Sequence, residues 1–121
     1  MAIEECVPTT TLDRFAAVNE IGHIDVLKID VEGHELDVLH GATEMLSSGR
    51  IDVVQFEFGG CNLDTRTNLH EFYSLMSAYG YVIHIITKHG LERIEHYREI
   101  YEQYRTTNFV AVRSAMKAGS A

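Results

Sequence analysis

An α/β fold, a mainly parallel sheet with helices on both faces, is what this chain predicts, and three observations carry the prediction. The apolar, β-rich runs "IDVLKID", "IDVVQFEF" and "YVIHII" alternate with stretches whose apolar residues recur every three or four positions. The stretches between them run to about a dozen residues, the length a right-handed crossover between parallel strands needs. The composition is that of one folded unit, with 121 residues, 45% hydrophobic content, one proline and nine glycines, and neither repeats nor low-complexity segments.

Taken in order, "TTTLDRFAAVNE" opens with Thr10 three residues before Asp13, a capping-box-like start, and sets Leu12, Phe15 and Ala16 on one helical face. "IDVLKID" is nearly continuously apolar from Ile24 to Ile29 and fits a strand covered on both faces. After Gly33, the residues Leu36, Leu39, Ala42 and Met45 step at helical spacing until Gly49 stops the run. Ile51 to Phe58 forms a second strand, closed by Gly59 and Gly60, whose missing side chains permit a sharp turn or a close approach. Leu69, Phe72, Tyr73, Met76 and Tyr79 then make an apolar stripe, with Thr67 or Asn68 placed as its cap and Gly80 as its stop. Tyr81 to Ile86 is a third strand, and Leu91, Ile94, Tyr97, Ile100 and Tyr104 predict an amphipathic helix within His89 to Arg105. "NFVAV" from Asn108 is a last strand. Residues 1–113 thus form the α/β domain, and 114–121 read as a flexible tail.

Charge and cysteine usage narrow the function. Ten Lys and Arg against 18 Asp and Glu give a net charge of −8, a field that repels phosphate backbones and anionic lipid. Neither nucleic acid nor a membrane surface is an expected partner. Cys6 and Cys61 stand far apart, with neither a disulfide framework nor a zinc spacing, which points to a reducing cytoplasm. No apolar run approaches the roughly 20 residues of a membrane-spanning helix, and Met1 to Pro8 lacks the basic start of a leader.

The chemistry concentrates in "LKIDVEGHELDVLHGA". In parallel sheets ligands collect beyond the carboxyl ends of the strands. Asp30 and Glu32 lie at one such end and Glu57 near the next, where a carboxylate can orient a cationic ligand or accept a proton; equally, acidic residues there can cap the following helix. His34 is a candidate base or an ordinary first-turn histidine. Lys28, inside an apolar strand, calls for a carboxylate partner such as Asp25 or Glu57. Asn62, Asp64 and Arg66, in the loop after the second strand, can meet an acceptor's hydroxyl groups, or Asp64 to Asn68 can simply turn and cap the next helix. The histidines, His23 among them, share no short spacing with acids or cysteines and predict no metal site, whereas Asp30, Glu32 and Glu57 could hold a hard cation such as magnesium. The tyrosines Tyr97, Tyr101 and Tyr104 suit a core or an interface.

"TTLD", "LKIDVEGHELDVLHGA", "VVQFEFGG" and "TNFVAV", in that order and at these separations, resemble the FkbM family of S-adenosylmethionine-dependent methyltransferases, mostly O-methyltransferases of sugar or polyketide hydroxyls. The resemblance covers Pro8 to about Val112 and aligns with the second half of that family's domain. It implies a Rossmann-like class I methyltransferase sheet with strands in the order 3-2-1-4-5-7-6, of which this chain supplies the equivalents of 4-5-7-6, the last antiparallel. It implies S-adenosylmethionine as cofactor and Asp30 and Glu32 as the family's central acidic motif; by position, His34 is then a candidate base beside them, and Glu57, Asn62 and Arg66 candidate contacts to a glycan or small-molecule hydroxyl. The family's glycine-rich cofactor loop is not in these residues, and the one glycine pair, Gly59 and Gly60, follows a different strand. Strand four pairs with strand one in the implied order, so Val26 to Asp30 is left as a bare edge, and bare edges associate. A homodimer through that strand is expected. Beside the methyltransferase stand two other readings: a non-catalytic, self-associating α/β module, and a metal-assisted hydrolase or transferase using the Asp30, Glu32 and Glu57 cluster.

Overall fold

Thr11 starts the first helix in the computed structural model, which describes residues 9–114. Its hydroxyl accepts the Arg14 N–H at 3.1 Å and α1 runs Leu12–Val18, so the cap is Thr11 and not the expected Thr10. Asp13 has a more distant task than a capping box: its carboxylate accepts the Glu44 and Met45 N–H groups at 2.8 and 2.9 Å and caps another helix from across the core.

The helix expected from Gly33 to Gly49 is two helices, α2 (Glu35–His40) and α3 (Thr43–Ser47). They separate at Gly41, where a side chain would press on Thr11 (Cβ to Cβ, 3.2 Å) and where the backbone C=O accepts the Asp13 N–H. The strands β1 (Ile24–Ile29) and β2 (Ile51–Phe58) flank the pair. The short helix α4 (Cys61–Asp64) follows β2, and then α5 (Leu69–Ala78) begins with a full capping box between Asn68 and Glu71.

β3 (Tyr81–Thr87) continues into β4 (Gly90–Arg93) through a tight turn at Gly90, whose φ of +119° only glycine adopts readily. The helix expected within His89 to Arg105 is therefore absent among the described residues. The hairpin strand and a single 3₁₀ turn, Glu99–Tyr101, take its place before β5 (Thr107–Arg113). The stripe Leu91, Ile94, Tyr97, Ile100 and Tyr104 keeps helical spacing by coincidence. Leu91 and Ile100 are exposed, while Ile94 is buried and its N–H bonds the Ile83 carbonyl.

The sheet order is β1-β2-β5-β3-β4. Only β1 and β2 pair in parallel, and the other three pairings are antiparallel. The expectation of a mainly parallel sheet is corrected by β5, which inserts between β2 and β3 against their common direction. Pairing register puts Leu27, Ile29, Val54, Phe56, Phe58, Ile83, Phe109 and Ala111 on one face. That face forms a single core with Ala16, Leu39, Met45, Leu46, Phe72 and Met76 of α1, α2, α3 and α5, and Phe56 stacks between Phe72 and Phe109 at 4.8 and 5.5 Å.

The other face carries Val26, Lys28, Val53, Gln55, Glu57, Val82 and Val112, all half-buried or exposed, together with Val110 and His84, which are buried. Helices on both faces, and a β1 covered on both sides, are thus not what the described residues form. Val26 is 60% exposed. Lys28 needs no carboxylate because its ammonium stays in water, and it makes no ion pair among the described residues. No helix is long and apolar enough to cross a membrane among the described residues. Most of the tail expected over 114–121 lies outside the described residues.

At the amino ends of β1 and β2, His23 Nε2 lies 3.3 Å from Asp25 and 2.9 Å from Asp52, and the Arg113 guanidinium meets Asp52 at 2.9 Å. Arg113 first, then His23, holds the Asp52 carboxyl below its ordinary value of 3.8. A carboxyl depressed in the folded state adds stability above its unfolded value and loses it as pH falls through the folded one. Urea unfolding of Asp52→Asn is accordingly expected to show a deficit at neutral pH that shrinks as pH drops below about 4. Equal deficits at pH 7 and pH 2 would count against this ion-pair role.

Candidate functional site

The site grows from the way β1 ends. Ile29 is buried, Asp30 emerges into solvent, and the chain turns back through Val31, Glu32 and Gly33 into α2. Glu32 takes φ +49° and Gly33 φ +102°, two successive left-handed residues that reverse the backbone within one turn. Glu35 holds this turn from inside. Its carboxylate is 1% exposed and accepts the Val31 N–H at 3.0 Å and the Gly33 N–H at 2.9 Å.

The loop after β2 docks onto that turn. Gly59 donates its N–H to Asn62 Oδ1 at 2.9 Å, Asn62 Nδ2 donates to Thr67 Oγ1 at 2.8 Å, and Thr65 Oγ1 donates to the Gly33 carbonyl at 2.9 Å. Both close approaches demand glycine. A Cβ at Gly33 would stand 2.6 Å from the Cys61 carbonyl oxygen, and one at Gly59 would stand 2.7 Å from the Thr106 Cα. The Gly59–Gly60 pair is therefore the close-approaching loop its sequence suggests.

The segment from Glu95 to Thr106 is clasped to the same end of the sheet. Glu102 accepts the Leu69 and His70 N–H groups at 2.6 and 2.9 Å, and the Tyr97 hydroxyl donates to Glu102. Desolvation, then that bond to Glu102, pushes the Tyr97 phenol up to about 12. Tyr101 and Tyr104 pack on the core, the latter 5.3 Å from Phe58, in line with the core role expected of the tyrosines.

Of the residues singled out in the sequence, Asp30, Glu32 and His34 follow β1 directly at its carboxyl end, all exposed. His34 Nδ1 is 3.2 Å from Asp37, and His34 lines an open groove of about 280 Å³ with Thr10, Thr11, Val31 and Val38. Glu57 is half-buried on the face without helices, where continuing the β1–β2 register sets it beside Asp30. Arg66 is exposed with φ +57°. Asn62 is drawn inward, 2% exposed, and its amide braces the loop in place of the direct acceptor contact the sequence suggested.

The ligand atoms of Asp30, Glu32 and Glu57 do not converge as a metal site among the described residues. The group that does is His23, Asp25 and Asp52, with one atom from each lying within 4.8 Å of the others. That juxtaposition is not legible in residue spacing, since Asp52 reaches His23 only through strand pairing. Sequence reasoning also missed Glu35 and Thr65. An acidic first turn reads as complementing the helix dipole, and only burial separates Glu35 from that ordinary role.

Residues 2–83 match the Methyltransferase FkbM domain, a span that includes β1, β2 and the whole Asp30–Glu35 turn and leaves β5 outside. Over 53 residues the chain is 38% identical to the hexuronic acid methyltransferase AglP of Haloferax volcanii, covering 44% of this chain and 22% of that relative. The matched stretch is thus less than a quarter of the relative's length. No solved structure matches. With two strands, their shared mouth and the turn between them inside the matched span, the chain belongs to the FkbM methyltransferase family.

Proposed function

We propose that this chain binds S-adenosylmethionine at the mouth of β1 and serves methyl transfer to a hydroxyl of a sugar or other small-molecule acceptor. The observation that carries the reading is the Asp30–Gly33 turn, which presents two exposed carboxylates at the carboxyl end of a parallel strand in a member of a methyltransferase family. The order β1-β2-β5-β3, with β5 antiparallel, supports equating these strands with 4-5-7-6 of a class I methyltransferase sheet. The donor set suits the ligand, because carboxylates complement ammonium and sulfonium cations and accept hydrogen bonds from ribose hydroxyls. When bound, the cofactor supplies an electrophilic methyl carbon on cationic sulfur.

The chain's own residues have three tasks. Asp30 and Glu32 orient the donor, since an in-line displacement demands close alignment. His34 takes the acceptor hydroxyl's proton as the oxygen attacks, with Asp30 as the alternative base. Glu57 and Arg66 receive the acceptor's hydroxyls, and Asn62 braces the loop that carries Arg66. A sugar acceptor is supported by the relative named for hexuronic acid. The cytoplasm is the proposed compartment.

Calorimetric titration of S-adenosylmethionine into the 121-residue chain is expected to show saturable binding, weakened about tenfold, or about 1.4 kcal/mol, by Asp30→Ala or Glu32→Ala. A folded chain with no saturable binding overturns the reading.

One observation also favours self-association. Among the described residues β1 is an outer strand with an unpaired edge, Val26 on it is 60% exposed, and a second copy would complete its hydrogen bonds across a two-fold axis. Sedimentation equilibrium is expected to give a dimer that Val26→Lys dissociates. A monomer at every concentration tested would refute the pairing.

A further inference from the structure

We propose that Glu35 is the positioning residue for the Asp30 and Glu32 carboxylates, an inference that rests on reading their turn as the donor-binding mouth. A carboxylate that complements a helix dipole does so from the surface, but Glu35 is 1% exposed. Burying a charge is costly unless it is hydrogen-bonded, and no described cation pairs with this one. Its compensation comes from two N–H groups of the turn, Val31 at 3.0 Å on one oxygen and Gly33 at 2.9 Å on the other. These two residues bracket Glu32.

The turn needs that grip. Glu32 sits at φ +49°, where a residue with a Cβ is disfavoured, so the backbone relaxes unless something over-determines it. Asp30 and Glu32 make no side-chain hydrogen bond or ion pair among the described residues, so the backbone that carries them sets where they point. Thr65, bonded to the Gly33 carbonyl, steadies the turn from outside, while Glu35 steadies it from within. Glu35 is too deeply buried to touch a ligand itself, and it acts through the pair it positions.

Glu35→Gln tests this with little change of size, because the glutamine NH₂ turns a donor towards one of the two N–H groups. Amide hydrogen exchange at Val31 and Gly33 is expected to accelerate at least tenfold, with core amides such as Phe72 and Ala111 unchanged. S-adenosylmethionine affinity is expected to fall about tenfold in the otherwise native chain, and less than twofold when Asp30→Asn is already present. Unchanged exchange in a folded variant, or equal losses in both backgrounds, overturns the proposal. Should Glu35→Gln fail to fold, the native chain decides: scalar coupling across the hydrogen bonds, from the Val31 and Gly33 nitrogens to the Glu35 carboxyl carbon, is expected, and its absence refutes the role. If the native chain binds no donor, the reading of the mouth fails, while exchange and coupling still decide whether Glu35 holds the turn.

Discussion

Gly33→Ala is expected to cost about 4 kcal/mol of folding stability, from left-handed backbone strain and from steric overlap each of roughly 1–3 kcal/mol. The backbone at Gly33 has φ +102°, outside the range a side chain tolerates, and the added Cβ would stand 2.6 Å from the Cys61 carbonyl oxygen. That oxygen belongs to backbone, so relief requires α4 to move, and its movement breaks the bond from Thr65 to the Gly33 carbonyl. Against the roughly 5–15 kcal/mol typical of a whole domain, this loss is large. Urea denaturation reads it as a midpoint lower by about 2 M at an ordinary slope. Gly22→Ala is the control, since nothing lies within 4 Å of a Cβ there, and it should stay within about 0.5 kcal/mol of the native chain. Similar midpoints for the two variants would mean that the β1 and β2 loops are not docked through Gly33.

Phe56→Ala is expected to cost about 4 kcal/mol for a different reason, the cavity left by a large core side chain. Phe56 is fully buried in the middle of β2, stacked on Phe72 at 4.8 Å and on Phe109 at 5.5 Å. It joins α5 to the β2–β5 pairing, so its loss loosens two interfaces together. Phe56→Leu keeps most of the volume and should cost roughly 1.5 kcal/mol. The measurement is again urea unfolding, now with the mouth followed separately: Gly33→Ala alters amide exchange at Val31 and Gly33 more than its global cost explains, whereas Phe56→Ala lowers protection everywhere alike. A Phe56→Ala cost below about 1 kcal/mol would contradict the stacked core.

Where a local signal was strong, the sequence could be read directly. The stripe Leu69, Phe72 and Met76, bounded by Asn68 and Gly80, is α5 with its cap and its left-handed stop. Ile51 to Phe58 is β2 to the residue. The acidic pair after β1 lies at a strand mouth as its position implied. Where two local signals coincided, the sequence misled. Leu91 to Tyr104 carries helical spacing, but Gly90 lets β3 fold back into a hairpin, and pairing with β3 outweighs the weak propensity of a charged stripe. The apolar run of β1 likewise resembles a fully covered strand although its outer side faces solvent, because periodicity records apolar content and not which neighbours are present.

The site divides along the same line. By itself, the sequence determined that the chain alternates strand and helix, that Asp30, Glu32 and His34 follow a strand directly, and that the block around them resembles FkbM methyltransferases. Only the tertiary structure decided that Glu35 is the buried carboxylate gripping the turn, that Asn62 and Thr65 lock the next loop onto it, and that His23 meets Asp52. Each of those contacts joins groups whose role depends on burial or on a partner brought close by strand pairing. Hydrogen-bond energy depends on distances of a few ångströms and on exclusion of water, and neither is encoded in the spacing of residues along a chain.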